Sequence, residues 1–525
     1  MWEQVPRTIA EAARSPLGIW ALVIVALGLL GFAFFNEAPL EYRAGLFVFI
    51  FSGFGLFGWA ASRVKPVADD PAPPLPPAAA PPTMPRVERA DPDPPPAAAR
   101  PETPEADALL KRADEDYLAD RNDRARTAYA EARALYKQVG NRLGEAKVLI
   151  GLGDLEHKLG RNDEARAAYA EARMLFRQVG SRLGEANVLL GLGNIESKLG
   201  RNDRARAAYG EARTLYKQAG NRLGEANVLH GLGDLERKLG RNDQARTAYT
   251  EARTLYKQAD KRLGEANALH GLGDLERKLG RDDEARTAYA EARTLFRQVE
   301  DRLGEANALS GLGHLESKLD RNDQALAAYA EARTLFRQVE DRQGEANVLT
   351  GLGHLERNLD RDDEARAAYA EARTLFRQVE DRLGEANALC GLGDLESTLG
   401  RNDQARTAYT EGRRLYRQVE DRLGEANVLH GLGDLERKLG RDDQARTAYT
   451  EARRLYRQVE DRLGEANVLF GLGKLEKQLG RAGAARRHLH QAAYLYEALD
   501  MADWQEEALE AAEGLGGGED EPGGG

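Results

Sequence analysis

The chain repeats itself every 40 residues, and this constrains its fold more than any other feature. The stretch ANVLHGLGDLERKLGRND begins at Ala226 and returns at Ala426 with one change, Asn242 to Asp442. Close copies begin at Ala146, Ala186, Ala266, Ala306, Ala346, Ala386 and Ala466. A single unit of this length has too little apolar surface to offset the entropy of ordering it. Stacked copies bury each other's faces and share a core, so the repetition is a thermodynamic requirement of the architecture.

The unit from Asn221 to Gln258 reads as two helices. Asn221 stands at a helix start, and its equivalents are Asn141, Ser181, Lys261, Asp301, Asp341, Asp381, Asp421 and Asp461. All but Lys261, which has Asp260 beside it, are side chains that accept hydrogen bonds from free N–H groups at a helix N-terminus. Val228, Leu229, Leu232, Leu235 and Leu239 form an apolar stripe at helical spacing. Gly240 is expected to close this helix in a left-handed conformation, and Asn242 or Asp243 to cap the next. The second helix carries Ala245, Ala248, Tyr249, Ala252, Leu255 and Tyr256 on one face.

Composition divides the chain into three parts. Fifteen of the nineteen prolines lie between Pro66 and Pro104, and none lies between Glu105 and Glu521. Ahead of them, residues 17–35 (LGIWALVIVALGLLGFAFF) and 44–62 (AGLFVFIFSGFGLFGWAAS) carry no charge. Each is about as long as a helix needs to cross a hydrocarbon core of ~30 Å. The first run is longer than a signal-peptide core, and a second follows it without a small-residue cleavage site between them. Arg7 and Arg14 precede the pair and Arg63, Lys65, Arg86 and Arg89 follow it, which places both ends on the cytoplasmic side. The expected organisation is a cytoplasmic N-terminus at 1–16, two transmembrane helices, a Pro/Ala-rich disordered linker of extended character at 63–105, ten repeats at 106–500, a capping helix at 501–514 and a disordered glycine-rich tail at 515–525. The expected location is a bacterial cytoplasmic (inner) membrane with the repeats in the cytoplasm.

Several classes of function are disfavoured by composition. The chain has 75 basic and 86 acidic side chains, a net charge of −11, and no basic stripe of the kind a nucleic-acid surface requires. The single cysteine, Cys390, excludes an intrachain disulfide.

Gly233, Gly240, Ala245, Tyr249 and Ala252, with Leu232 before the first glycine, resemble the tetratricopeptide repeat. The 40-residue period with DRLGEA opening the unit is similar to the longer variant found in spindle-orientation adaptors and kinesin light chains. The resemblance spans about 106–500. It implies an all-α, right-handed superhelical solenoid of about ten helix-turn-helix units, here preceded by the transmembrane hairpin, with a concave surface lined by the first helices. Two departures stand out. The usual proline at the end of the second helix is absent, and glutamate (Glu156, Glu236, Glu276 and equivalents) replaces the usual first-helix tyrosine. That glutamate points toward the apolar arc and is expected to find an arginine on a neighbouring helix, since an unpaired buried charge is costly.

On a helical wheel the non-core side of 226–240 holds Asn227, His230, Gly231, Asp234, Arg237 and Lys238. The residue before Gly-Leu-Gly varies most: Ile150, Leu190, His230, His270, Ser310, Thr350, Cys390, His430 and Phe470. Such a range of volume and polarity is expected at a groove rather than in a core. The Asp234 position varies too, with Asn194, His314, His354 and Lys474. Asparagine recurs at Asn187, Asn227, Asn267, Asn307, Asn347, Asn387, Asn427 and Asn467. A ladder of amides suits the backbone of an extended peptide, as in the adaptors this family includes, and Gly231 and its copies would leave room for it. The expected groove is therefore these asparagines with His230, His270, His314, His354 and His430.

Signals for chemistry are weak. No repeat offers a His-x3-His pair or a cysteine set for a metal. GLGDLE lacks the third glycine and the preceding strand of a phosphate loop. No catalytic constellation and no cofactor is expected. Arg246, Arg253 and Lys257 on the second helix are expected to serve inter-repeat ion pairing, with anionic lipid as an alternative. The expected function is a non-enzymatic, membrane-anchored scaffold that recruits a protein or peptide, with the bilayer met through the N-terminal helices. The rival is a structural or self-assembling spacer of the cell envelope with no peptide ligand.

Overall fold

The computed structural model describes residues 103–515. The two apolar segments, the linker up to residue 102 and the tail from residue 516 lie outside the described residues, as do the expectations that fall on them. The described residues form α-helices and no strands. No described helix is long and apolar enough to cross a membrane.

Twenty helices pair into ten antiparallel hairpins between Pro104 and Glu497, and Ala502–Glu513 follows as a single closing helix. In the unit read above, the first helix is Arg222–Lys238 and the second Asn242–Gln258. Each helix packs on its hairpin partner and on the adjacent hairpin. First helices of successive hairpins also touch one another, and second helices do not do so comparably, so the first helices line the inner side of the stack.

The local signals act as their chemistry dictates. Asn141, Ser181, Asn221, Asp301, Asp341, Asp381, Asp421 and Asp461 each accept a hydrogen bond from the glycine N–H three residues on. Lys261 makes no such bond, and Asp260 is instead in the left-handed region at φ 52°. Gly240 closes its helix at φ 69°, and the Arg241 N–H bonds back to the Glu236 carbonyl at 2.9 Å, which satisfies an orphan carbonyl. That bond corrects the expected second cap. Arg241 occupies the cap position without a side-chain bond, and Asn242 is already the first helical residue. The Oδ1 atoms of Asn122, Asn242 and Asp442 are buried without a partner. Asp243 still sits favourably in the first turn, against the positive end of the helix dipole.

Nine of the ten first helices carry three glycines, each of which would weaken the helix by about 1 kcal/mol relative to alanine. The structure shows what they are for. A Cβ on Gly224 would lie 2.2 Å from the Tyr216 ring, one on Gly231 3.0 Å from the Tyr209 ring, and one on Gly233 2.6 Å from the Tyr249 ring. Two rings come from the preceding second helix and one from the helix's own partner. Eight of these helices are thus gripped from both sides by tyrosine or phenylalanine rings that are almost wholly buried, and in Arg462–Gln478 Leu489 replaces the partner helix's ring. Gly231 and its copies therefore seat a tyrosine of the previous hairpin. They do not leave space for a ligand backbone.

The buried glutamates have their arginines. Glu236 is met by Arg206, 30 residues upstream on the preceding second helix, through Nε at 2.7 Å and Nη2 at 3.0 Å. Arg126, Arg246, Arg286, Arg366 and Arg406 bind Glu156, Glu276, Glu316, Glu396 and Glu436 in the same way, with Nε to Oε1 between 2.5 and 2.8 Å. Arg166 and Arg446 reach Glu196 and Glu476 through Nε at 2.8 and 2.9 Å and leave Glu196 Oε2 and Arg446 Nη2 without a hydrogen-bond partner. Two-pronged pairing compensates desolvation of the carboxylate and ties one hairpin to the next. Glu356 is the exception: Leu326 stands where its arginine would be, and only Arg361, at 3.2 Å, remains. Arg213 bridges onward to Glu225 at 3.1 Å and Glu251 at 2.6 Å, and Arg253 reaches Glu291 at 2.5 Å. The arginine flank of the second helices is engaged in ion pairing between repeats.

Candidate functional site: the inner face of the first helices

The Asp234 position belongs to a hydroxyl ladder. Tyr249 donates its hydroxyl to Asp234 at 2.6 Å, fifteen residues back on the partner helix. The same bond links Tyr129 to Asp114, Tyr209 to Asn194, Tyr289 to Asp274, Tyr409 to Asp394 and Tyr449 to Asp434, at 2.6–2.7 Å. Tyr169 bonds Asp154 likewise. Tyr329 and Tyr369 meet the Nδ1 atoms of His314 and His354 at 2.7 and 2.8 Å. Burial first, and then the Asp234 carboxylate, push the Tyr249 hydroxyl far above its ordinary pKa, so it stays protonated and donates. Variation at this position is thus restricted to acceptors wherever the tyrosine is present. The side chains here are part-buried along the inner face.

The residue before Gly-Leu-Gly is more enclosed than expected. Leu190, Thr350, Cys390 and Phe470 are all buried. It occupies the seam beside the adjacent hairpin rather than the open face. Ile150, Leu190, Cys390 and Phe470 join core clusters. The polar members find local partners. The Thr350 hydroxyl donates to the Ala346 carbonyl at 3.0 Å, His230 and His270 stand edge-on to Tyr249 and Tyr289, and His230 and His430 approach Asp234 and Asp434 at 3.6 and 3.5 Å. Burial raises the Cys390 thiol well above its usual pKa and keeps it unreactive.

The asparagine ladder divides into two groups. Asn187, Asn227, Asn387, Asn427 and Asn467 accept a hydroxyl from Tyr216, Tyr256, Tyr416, Tyr456 and Tyr496, at 2.5–2.7 Å. Asn267, Asn307 and Asn347 stand in the three successive units whose corresponding ring is Phe296, Phe336 or Phe376. These three residues are largely buried, at 6, 8 and 6% exposure. No side-chain hydrogen bond to another described residue engages their amides, and the amide atoms themselves are not fully enclosed but reach the inner surface. The phenylalanines were visible in the sequence, but only the 29-residue pairing seen here gives them meaning.

The same middle section differs in charge. Ladder carboxylates at Asp234 and Asp274 give way to His314 and His354 and resume at Asp394 and Asp434. Burial first, and then Arg277, lower His314 to about 4. Burial, and then Arg357 and His314, lower His354 to about 3. Both are neutral near pH 7. Asp274 is held below the usual carboxylate range despite its burial, by His270, Arg237 and Arg277. Among the described residues, no group of three or more His, Cys, Asp or Glu side chains is placed to hold a metal.

Glycines that seat rings, alanines at the crossings and a stack of equal hairpins define a tetratricopeptide-type protein-interaction scaffold. Tetratricopeptide repeat profiles match residues 184–258, 264–338, 344–418 and 424–498, and a second such profile matches 110–178. The chain belongs to the tetratricopeptide repeat family. No curated protein matches it. Solved structures similar to it include BtubC (BKLC) from P. vanneervenii, at 18% identity over 46% of this chain and 93% of that one, with a TM-score of 0.37. Others are the STAND protein with a tetratricopeptide repeat sensor, PH0952 from Pyrococcus horikoshii (12%, 67% and 55%, 0.48), and the apo quorum sensor NprR from B. thuringiensis (14%, 73% and 99%, 0.43).

Proposed function

We propose that the chain is a membrane-anchored scaffold that holds an extended peptide segment of a partner protein against its first helices and so recruits that partner to the cytoplasmic membrane. One observation carries the binding half: Asn267, Asn307 and Asn347, in three consecutive units on the inner side, have largely buried side chains whose amide tips open to the inner surface without a side-chain hydrogen-bond partner among the described residues. An amide that reaches the surface with no protein partner is free to bond a ligand, and a peptide backbone offers both the donor and the acceptor it can use. The remaining members of the expected groove, Asn187, Asn227, Asn387, Asn427 and Asn467 with His230, His270, His314, His354 and His430, flank or intersperse these three.

The membrane half rests on the uncharged runs 17–35 and 44–62 and on the arginines around them. A reporter enzyme active only outside the cytoplasm, fused after Arg63, is expected to be silent. Activity there would contradict this topology.

The binding half is tested by co-purification from detergent-solubilised membranes with the full chain and with an Asn267→Ala, Asn307→Ala, Asn347→Ala variant. A partner retained by the first and lost by the second, at equal helicity, supports recruitment. Equal recovery, or none from either, favours the structural spacer. For that reading, mass in light scattering would rise with concentration.

A further inference from the structure

The middle of the inner face is chemically unlike its ends. From Arg277 to Arg357 the ladder reads Arg277, His314, Ser317, His354, Arg357, with no carboxylate of its own. Arg357 has Asp394 ahead of it at 3.5 Å. The corresponding residue ahead of Arg277 is His314, and among the described residues Arg277 has no carboxylate within ion-pair distance. Its guanidinium bonds the Tyr289 hydroxyl at 3.2 Å. We assign Tyr329 and Tyr369 as donors to Nδ1, in the role their counterparts play toward Asp274 and Asp394, which leaves the proton of the neutral His314 and His354 rings on Nε2. The unpartnered amides Asn267, Asn307 and Asn347 lie in the same units. This stretch offers N–H donors and two guanidiniums, each opposed only by a border carboxylate, Asp274 for Arg277 and Asp394 for Arg357.

Resting on the groove reading above, we propose that the section between Asp274 and Asp394 takes a short, extended, carboxylate-rich peptide segment, seated between Arg277 and Arg357. Contacting helices lie roughly 8–10 Å apart, so two repeats span about 20 Å, or about six residues of extended chain at ~3.3 Å each. The carboxylates at either end repel a longer acidic run and set where the short one sits.

A random-peptide phage library panned on the detergent-solubilised full chain tests this. Enriched peptides are then made synthetically and titrated against three proteins: the unaltered chain, a His314→Asp, His354→Asp variant, and the Asn267→Ala, Asn307→Ala, Asn347→Ala variant. Aspartate is the acceptor other repeats use beneath the same tyrosine, so the aspartate variant keeps its fold, and its melting curve checks this. The expected peptides are acidic. They bind the aspartate variant at least about tenfold more weakly, by a margin that narrows as salt rises, and lose binding to the alanine variant. Peptides that need the asparagines yet show no acidic bias, or that bind the aspartate variant equally well, overturn the charge assignment and leave the groove reading intact. Peptides that bind all three proteins alike, or no enrichment at all, overturn both.

Discussion

The hydroxyl of Tyr449 donates to Asp434 across 2.6 Å, and one repeat later both members change together, to Leu489 and Lys474. Lysine cannot accept a hydroxyl, and leucine has none to give. The Lys474 ammonium instead lies over the Phe470 ring, 3.9 Å from its centroid, and Leu489 fills the seat against Gly473. The ladder bond is therefore a unit that the fold keeps or discards whole. In the Tyr249–Asp234 pair, Tyr249→Phe is expected to cost about 1 kcal/mol, and Asp234→Leu about 1–3 kcal/mol because it strands a buried hydroxyl. The double change should cost less than their sum in a urea-unfolding double-mutant cycle. Strict additivity would mean that the two groups do not interact.

Leu326 leaves the junction before Glu356 without the arginine that the other described junctions carry. Leu326→Arg is expected to strengthen that seam by about 1 kcal/mol, the scale of a part-exposed charged hydrogen-bonded pair less the leucine contacts given up. Hydrogen exchange in helices Asn322–Gln338 and Arg342–Asn358 should slow about fivefold. Unchanged exchange would show that the arginine–glutamate pairs contribute nothing to the stacking of hairpins.

Glycines of one helical type should respond oppositely. A Cβ on Gly264 would meet the Tyr256 ring at 2.3 Å, whereas one on Gly210 meets nothing within 4 Å. Gly264→Ala is expected to destabilise by about 1–3 kcal/mol through overpacking. Gly210→Ala should stabilise by about 1 kcal/mol through backbone entropy. Thermal melts of the two variants read the difference, and stabilisation by both would refute the ring-seat role.

His314 and His354 give a pH dependence of known sign. Their folded pKa values, about 4 and about 3, lie below the free histidine value. The unfolded chain therefore binds more protons, and stability falls as pH drops from about 6.5 through 4. Asn194 already serves this position, so a His314→Asn, His354→Asn variant should lose less stability over that interval than the unaltered chain, as followed by Tm against pH. Parallel curves would contradict the buried, neutral assignment.

The helices, first caps and apolar faces were legible because each depends on a few neighbouring residues. Partner assignment was not. A sequence with nearly identical units has almost no variation to correlate, so the arginine opposite Glu236 was one of several at the same period. Only the exceptions carry the information: Leu326, the Lys474–Leu489 exchange, and Lys147, where the ring is Phe176 rather than tyrosine. The variable residue before Gly-Leu-Gly misled because tolerance of size suggested solvent. Its buried seam instead accepts apolar residues into the core and gives polar ones a carbonyl or a ring edge. The second cap misled because Asn242 is a good cap by type, whereas the left-handed Gly240 turn brings Arg241 to that place.

The most direct test of the central claim is photo-crosslinking of the full chain in its native membranes, with a photoreactive amino acid at Ser317 on the inner side of a first helix or at Thr294 on the exposed side of a second helix. The expected result is a discrete adduct from position 317, lost when Asn267, Asn307 and Asn347 are replaced by alanine, and none from position 294. An adduct from position 294 alone, or one from position 317 that survives the alanine changes, would contradict a peptide held by the middle amides of the groove.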